Sequence, residues 1–465
     1  MCTHATHADS RNPHLETAVY AGRTAEFVGK LAPNSIAIIV SNPEHTRSND
    51  TQFEYRQSSD VLYVNGFPEA ESAVVLTNIG GKSKMILFVR PKDRAQEVWT
   101  GIRVGIDGAK HQFLANEAYT FDKFAEIVGK LLAKADNVYY KFGHNEHFDK
   151  QFTAAWQEEQ KPLFNPETVL HEMRLFKSEA ELTIMRRSAE ISAEAHIAAA
   201  RRLVPGLKEY QIKATMEGHF LENGASGPAY GSIIASGNNA VILHYTSNRD
   251  TIKDGDLVLI DAACEFEGYA ADITRTFPAN GKYSDAQREI YQLVLDAQLA
   301  GIRMSKPGKS LNQVHGAASK VLRAGLVKLG ILPPEMGNRR NALRLYKAAK
   351  KRGDGSEKTM LMLGSFFMHG TSHWMGLDVH DVGTMGTRSG KGKDRKFEAG
   401  MVFTVEPGIY IDKDDKRVPA KYRGIGVRIE DDIVITADGC EVITAGVPKT
   451  IDAIEQLMAE AATQR

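Results

Sequence analysis

The sequence has few of the features that mark a secreted, membrane-bound or disulfide-stapled protein. Only 3 of its 465 residues are cysteine, at positions 2, 264 and 440, an odd and sparse set that argues against a disulfide framework and favours a reducing compartment. No stretch approaches the roughly 18 uninterrupted apolar residues that a membrane span requires. The first twenty residues contain no basic region followed by an apolar run, so we expect no secretory signal. These absences predict a cytoplasmic protein.

The sequence also has no net charge. The 58 basic and 58 acidic side chains cancel, which removes the electrostatic footprint of a general nucleic-acid binder and favours small or neutral substrates. With 42% hydrophobic and 25% charged residues the composition is that of an ordinary globular protein. Because 465 residues exceed the size at which one hydrophobic core usually stops growing, we expect two domains.

The first third of the chain has the pattern of an α/β domain. A helical pattern covers Phe121–Ala135, and apolar runs typical of strands lie at Ser35–Val40, Ala73–Thr77 and Met85–Val89. Ser178 followed by Glu181 then forms a capping box that starts a new helix. The sequence therefore predicts a first domain over residues 1–170 and a second over 171–465.

The second domain is predicted to be α+β, with helices and an antiparallel sheet. A second capping box, Ser284 with Gln287, opens a helix that ends before Pro307-Gly308. Two segments echo each other, since Gly255–Asp261 and Gly400–Glu406 both run from a glycine through an apolar strand to a carboxylate six residues on. A duplicated strand unit of this kind would deliver acids symmetrically to one site.

Two aspartates flank a predicted hairpin. Leu257–Ile260 has the pattern of a buried strand, Gly268 supplies a turn, and the segment after Asp272 alternates as a second strand. Folding the hairpin about Phe266-Glu267 places Asp261 directly opposite Asp272. Opposed carboxylates in a core-facing position repel each other unless a cation lies between them. The alternative is a pair of exposed turn acids.

Three histidines and two glutamates complete the candidate chemistry. His369, His373 and His380 fall within twelve residues among glycines, which suits the wall of a site, although buried histidines are often only hydrogen-bonded. Glu406 ends an apolar run, and Glu430 is predicted to share a strand face with Arg428, its possible structural partner. Four carboxylates and a histidine, with no thiolate, suit a pair of manganese, cobalt, iron or zinc ions that activates water for hydrolysis.

The sequence resembles the aminopeptidase P family of "pita-bread" metallopeptidases over nearly its whole length. Its motifs occur in the family's order and are long enough to be specific: Thr46–Ser48, Tyr55–Asp60, Gly66-Phe67, His171–Ser178, Ile242–Thr246, the Asp261–Asp272 hairpin, HGTSHWMGLDVHDVG, TVEPGIYI and YRGIGVRIEDDIVIT. The resemblance implies an α/β domain before an α+β pita-bread catalytic domain, and cleavage of peptides that carry proline at position two.

The resemblance also implies roles for single residues. The positions that match the family's metal ligands are Asp261, Asp272, His373, Glu406 and Glu430, with Asp272 and Glu430 bridging two divalent ions, most simply Mn²⁺. Glu406 matches the proton shuttle, and His380 and His244 match the histidines that stabilise the carbonyl and the oxyanion. His369, Tyr410 and Arg428 match the proline pocket, and Tyr230 matches the substrate-facing wall.

The resemblance further implies a homo-oligomer, a tetramer or a dimer, in which Trp99 contributes to a neighbour's rim. The chain departs from the family pattern by an insertion between Leu332 and Met360. Its stretch Arg339–Arg352 carries seven basic residues in fourteen, which predicts either a solvated helix or a binding surface.

Several other functions remain possible from the sequence. Prolidase shares the five ligands and is the nearest alternative. A non-catalytic pita-bread binding protein would be expected to lose ligands, creatinase-like amidinohydrolysis does not use this metal set, and the long first domain argues against methionine aminopeptidase.

Overall fold

The computed structural model describes residues 13–353, 360–385 and 394–463. The chain divides into two compact units, His14–Arg174 and one that contains Leu175–Arg465. Within the described residues, no helix is both long and apolar enough to cross a bilayer. Cys264 and Cys440 are free thiols, and Cys2 lies outside the described residues.

The first unit is built around a six-stranded mixed sheet. Its strand order is β6-β5-β4-β1-β7-β8, and β2 pairs separately with β3. The strands are β1 (Ser35–Val40), β2 (Thr46–Ser48), β3 (Thr51–Gln52), β4 (Ala73–Ile79), β5 (Lys82–Val89), β6 (Glu117–Thr120), β7 (Asn137–Tyr139) and β8 (Leu163–Phe164). The helices are α1 (Thr17–Lys30), α2 (Ser59–Val64), α3 (Arg94–Thr100), α4 (Gly105–Gln112), α5 (Phe124–Leu132), α6 (Glu146–Glu159) and α7 (Glu167–Leu175).

The core of this unit lies between the sheet and two of its helices. Alternate residues of β1, such as Ile36 and Ile38, pack with Phe88 of β5 and with Phe124 of α5 and Phe148 of α6. The period of two in the strands and the helical stripes thus bury the same core. The three strands that the apolar runs predicted are present, which confirms the α/β character of this part of the chain.

Within its described residues, the second unit combines six helices with several short antiparallel sheets. Its helices are α8 (Glu179–Arg202), α9 (Glu209–Glu222), α10 (Asp285–Met304), α11 (Leu311–Lys328), α12 (Arg339–Arg352) and α13 (Ile451–Thr463). Its strands are β9 (Gly227–Pro228), β10 (Ile233–Ser236), β11 (Leu257–Asp261), β12 (Cys264–Phe266), β13 (Tyr269–Ala270), β14 (Thr274–Pro278), β15 (Val402–Val405), β16 (Gly408–Ile411), β17 (Ile425–Arg428), β18 (Asp431–Ile435) and β19 (Cys440–Val442).

Helix starts follow the sequence signals closely. Ser178 and Glu181 form the expected capping box at α8, and Ser284 and Gln287 form the one at α10. In each box the side chains satisfy backbone N–H groups that the first helical turn leaves unpaired. The basic stretch Arg339–Arg352 is a helix, α12, as the first of its two interpretations requires.

The predicted register of the aspartate hairpin is wrong by two residues. The turn falls on Glu267-Gly268, both in the left-handed region at φ 49° and 80°, and such a two-residue turn pairs Phe266 with Tyr269. Asp261 therefore lies opposite Thr274. Asp272 precedes β14 and is outside the ladder.

The predicted strand through Glu430 is also wrong. Arg428 ends β17, which pairs with β16, whereas Asp431 begins β18, which pairs with β15 in another sheet. Ile429 and Glu430 form the crossing between the two sheets, so the side chains of 428–434 do not share one face.

A buried ion pair stabilises this crossing. Arg275 and Asp431 are both fully buried and their side chains are 2.7 Å apart. Asp431 also accepts hydrogen bonds from Gln298, Thr444 and Lys449. Although burial opposes ionisation, the positive charges of Arg275 and Lys449 lower the pKa of Asp431.

Removing that charge is expected to destabilise the second unit strongly. Asp431→Asn keeps the size of the side chain but leaves the Arg275 guanidinium buried without its counter-ion, which typically costs about 3–5 kcal/mol. Urea denaturation measures the free energy of unfolding. Asp414→Asn, which breaks an exposed ion pair with Lys413, is the control and is expected to cost less than about 1 kcal/mol. Equal losses in the two variants would refute the structural role of the pair.

Candidate functional site

Two antiparallel strand pairs each bring two acids to one end. Asp261 is the last residue of β11, and Asp272 lies just before the paired strand β14. In the same way Glu406 follows β15, and Glu430 lies just before its partner β18. Because antiparallel neighbours start and end at the same edge, each pair delivers two carboxylates together. The sequence echo between residues 255–261 and 400–406 corresponds to these two matching strands.

The three clustered histidines lie on the loop between residues 366 and 385. His373 Nε2 is 3.4 Å from Asp272 Oδ2 and 3.7 Å from Glu406 Oε1. His380 packs against it with ring centroids 4.3 Å apart. His369 Nε2 bonds the Tyr410 hydroxyl at 2.8 Å. The loop-and-strand wall that the histidine spacing indicated is therefore present in the second unit.

These side chains line a cavity of about 650 Å³. Eleven of the twelve sequence-predicted site residues belong to the second unit, and ten of them line this cavity: Tyr230, His244, Asp261, Asp272, His369, His373, His380, Glu406, Arg428 and Glu430. Tyr410 stands directly behind the wall, with its hydroxyl bonded to His369 and Arg428. The two aspartates thus line a buried site and are not exposed turn acids.

The twelfth residue, Trp99, belongs to the other unit. It lies on α3 with 84% of its surface exposed, and Val98 and Ile102, close to it in the chain, are 76% and 87% exposed.

Burial and neighbouring charges shift the pKa values within the cavity. Burial raises the pKa of Glu406 to about 7, with opposition from His373 and Arg428. Burial and the charge of Asp272 raise the pKa of Glu430 well above its ordinary value. Burial alone would lower the pKa of His373, but the hydrogen bond to Asp272 and the charge of Glu406 raise it to about 9.

Arg428 neutralises Asp261 and does not pair with Glu430, which corrects the partner considered from the sequence. Its Nη2 lies 2.5 Å from Asp261 Oδ2, its Nη1 donates to the Tyr410 hydroxyl at 2.9 Å, and its Nε donates to Thr274 Oγ1. The Tyr230 hydroxyl lies 2.7 Å from both Asp261 Oδ1 and Asp272 Oδ1. The guanidinium is buried, and its donors face protein groups.

The donor set fits divalent cations. One ligand atom from each of Asp272, His373 and Glu430 lies within 4.8 Å of the others, and Asp261 and Glu406 line the same cavity. Four carboxylic acids share the cavity with one arginine and with His373, so full ionisation of the acids would leave negative charge in excess. Hard oxygen donors with one imidazole suit a divalent metal, whose charge would remove that excess.

Sequence reasoning missed several residues that hold the donors. Thr274 Oγ1 donates to Glu430 Oε2 at 2.6 Å, and Asp432 accepts from the Asp272 N–H at 3.0 Å. A buried ion pair between Lys177 and Asp381 (3.1 Å) holds the loop at His380. Only Thr274 could have been found from the sequence, because the alternation of the segment after Asp272 places Thr274 on the same strand face as Asp272.

Comparison with known proteins defines the class. The model of Metallopeptidase family M24 matches residues 183–437, and that of the Aminopeptidase P N-terminal domain matches residues 20–139. The chain belongs to metallopeptidase family M24, with an aminopeptidase P-type N-terminal domain before a pita-bread catalytic domain, as the resemblance predicted.

Individual relatives narrow the comparison to one kind of enzyme. The chain is 42% identical over 455 residues to the Xaa-Pro aminopeptidase of Escherichia coli, covering 95% of this chain and 98% of the relative. It matches the structure of Pseudomonas aeruginosa aminopeptidase PepP with a TM-score of 0.89 and 43% identity, over 97% of this chain and 99% of that one. Zinc-substituted E. coli aminopeptidase P in complex with product matches with a TM-score of 0.88 and 41% identity, over 96% and 99%.

The raised pKa of Glu430 predicts opposite effects of Glu430→Gln with and without metal. In metal-free protein a carboxylate with a raised pKa keeps its proton to higher pH in the folded state than in the unfolded state. Its stabilising contribution is therefore lost as pH rises. At pH 8 the substitution is expected to stabilise metal-free protein by about 1.4 kcal/mol or more. With a divalent ion added it is expected to destabilise the protein, because it removes one of the candidate donors.

Thermal unfolding with chelator or with Mn²⁺ measures both effects. Glu267→Gln, at the exposed hairpin turn, is the control and is expected to change neither. A loss of stability in both states would contradict the charge argument.

Proposed function

We propose that this chain is a metal-dependent aminopeptidase that hydrolyses the bond between an N-terminal residue and a following proline. The convergence of four carboxylates and His373 in one cavity supports the proposal most directly. The chain also belongs to a metallopeptidase family, and it is 42% identical to a protein named Xaa-Pro aminopeptidase.

The residues proposed to hold two divalent ions are Asp261, Asp272, His373, Glu406 and Glu430. When bound, divalent ions supply an activated water and polarise the scissile carbonyl. Manganese is the proposed metal because oxygen donors predominate, and Co²⁺, Fe²⁺ or Zn²⁺ fit the same donor types.

Glu406 is the proposed proton shuttle. It takes the proton from the attacking water and returns it to the proline nitrogen as that group leaves. A general acid/base works best when its pKa is near the operating pH, and the pKa of Glu406 in the buried cavity is about 7. Its Oε2 is also 3.5 Å from His369 Nδ1.

His380 and His244 are proposed to stabilise the carbonyl and the oxyanion that develops from it. Burial and the nearby charge of His373 lower the pKa of His380, so at neutral pH it is an uncharged imidazole that can donate one hydrogen bond. A hydrogen-bond donor aimed at the developing charge stabilises it.

His369, Tyr410 and Arg428 are proposed to form the proline pocket, with Tyr230 on the substrate-facing wall. Burial and the charge of Arg428 lower the pKa of His369 to about 4, which keeps this ring neutral. The hydroxyl of Tyr410 connects His369 to Arg428. The pocket wall is therefore a fixed hydrogen-bonded unit.

The contacts of Arg428 favour an aminopeptidase over a prolidase. A dipeptidase must neutralise the carboxylate of the terminal proline, for which an arginine fork is well suited. Arg428 is the one arginine among the lining residues of the described cavity, which include no lysine, and it is already bonded to Asp261, Thr274 and Tyr410. A longer peptide does not present a carboxylate at that position.

We propose an N-terminal domain over residues 1–170 and a catalytic domain over 171–465. The division of the chain into two compact units between Arg174 and Leu175 supports this assignment. Trp99 is proposed to reach a neighbour's rim in a dimer or tetramer, as its 84% exposure supports. The proposed location is cytoplasmic.

Replacing Glu406 by Gln is expected to lower kcat by about 10²–10⁴-fold, because the amide cannot accept the proton. Steady-state kinetics with metal content measured in parallel separates this effect from loss of metal. Glu398→Gln, a mostly exposed side chain, serves as the control. Near-normal turnover with both ions bound would assign the proton transfer to another residue.

A peptide series tests the function as a whole. With Mn²⁺-loaded protein, kcat/KM for Xaa-Pro-Yaa is expected to exceed that for Xaa-Pro by about tenfold or more, a difference of ~1.4 kcal/mol in the transition state. Matched Xaa-Ala-Yaa peptides are expected to be poor substrates, and dialysis against a chelator should abolish cleavage until Mn²⁺ is returned.

Each other outcome identifies an alternative. Preference for the dipeptide would make the protein a prolidase, and cleavage that does not depend on proline would remove the proposed specificity. Binding of peptide without cleavage by any metal-loaded form would make it a binding protein.

A further inference from the structure

A histidine outside the cavity wall is connected to the loop that carries the site's histidines. His315 lies on α11, and its Nδ1 is 2.8 Å from the hydroxyl of Thr371. Its other ring nitrogen, Nε2, is 3.2 Å from the hydroxyl of Ser319, one turn further along the same helix. Both polar atoms of the ring are thus engaged, and the ring has a single orientation.

The same ring packs against the start of that loop. Phe367 stacks on His315 with centroids 5.6 Å apart and planes 27° apart. Phe367 also meets His369 edge to face, with centroids 4.8 Å apart. His315 therefore contacts the residues two positions before and two positions after His369.

Thr371 extends this connection to Glu406. Its side chain is almost fully buried, and its carbonyl oxygen accepts the Glu406 N–H at 2.8 Å. A shift of Thr371 would consequently move the backbone from which the Glu406 carboxylate projects. Displacements of about 1 Å in such supporting structure are known to cost up to about 10²-fold in rate.

We infer that His315 is a positioning residue, which holds Phe367–Thr371 against α11 so that His369 and Glu406 keep their places in the cavity. The inference rests on the proposed peptidase activity of that site. His315 itself is not among the residues that line the cavity, so its effect on the reaction is indirect. The bond between Nδ1 and Thr371 is the part of the contact that carries the effect.

The chemistry of the ring supports a fixed, uncharged contact. Burial and the charge of Arg339 lower the pKa of His315, so the imidazole is neutral at neutral pH, with one N–H donor and one acceptor. Each of its partners is a hydroxyl, which can donate or accept, so either tautomer satisfies both bonds. The contact needs no charge, and a neutral amide of the right length should replace it.

Two amide substitutions separate the two nitrogens of the ring. An asparagine side chain ends near the position of Nδ1 and can bond Thr371, whereas a glutamine ends near the position of Nε2 and can bond Ser319. His315→Ala and His315→Gln are expected to lower kcat by about tenfold, and His315→Asn is expected to retain most of it. Metal content and melting temperature are measured for every variant.

Thr371→Val provides the second half of the test. It keeps the shape of the buried side chain but removes the hydroxyl, so it should lower kcat about as much as His315→Ala. The double variant should be no worse than either single variant, because both changes remove the same bond. Ser319→Ala removes the partner of Nε2 and is expected to leave kcat within about twofold of the parent.

The assay uses full-length, Mn²⁺-loaded protein and an Xaa-Pro-Yaa peptide. Losses of kcat at unchanged metal content, with rescue by Asn and not by Gln, would establish the positioning role. Equal activity in all variants, or losses that follow the melting temperature with Asn no better than Gln, would overturn it. If the parent protein does not cleave the peptide, the proposed function itself fails, and the two failures are thereby distinguished.

Discussion

Burial of four carboxyl groups in one cavity, those of Asp261, Asp272, Glu406 and Glu430, is the constraint on which the rest of the site depends. Burial is the largest cost of ionising Glu406 and Glu430, and the charges of neighbouring acids add to it. The pKa values of both glutamates are raised as a result. Such a site has a folding cost that divalent ions would offset, so metal binding, stability and catalysis are coupled.

The protein places its fixed cations where they organise this arrangement without neutralising it completely. Arg428 pairs with Asp261. Asp431, which follows Glu430 in the chain, is neutralised by Arg275 and Lys449. Glu430 and Asp431 are neighbours in the chain, yet the pKa of one is raised and that of the other is lowered. The difference comes from their partners. The carboxylate of Asp431 is paired with cations of the protein itself, whereas the Glu430 carboxyl group lines the cavity, where it can face a ligand.

The sequence could locate the elements that local interactions control. The capping boxes at Ser178 and Ser284 depend on residues three positions apart, and both are present. Apolar runs placed β1 at the correct residues because a buried strand needs a continuous apolar face. The hairpin register failed because it depends on whether the turn uses residues 266–267 or 267–268, a choice made by backbone conformation at the turn.

The sequence alone determined the donor types: four acids and a histidine, without thiolate, next to apolar strands, in motifs that identify the family. The tertiary structure decided which of them meet. In the folded chain Glu430 lies at a crossing between two sheets and not within a strand. Arg428 pairs with Asp261, and His315 bonds Thr371, 56 residues away in the chain. Residue chemistry can be read locally, but pairing between distant residues follows from strand register and helix packing, which only the folded chain fixes.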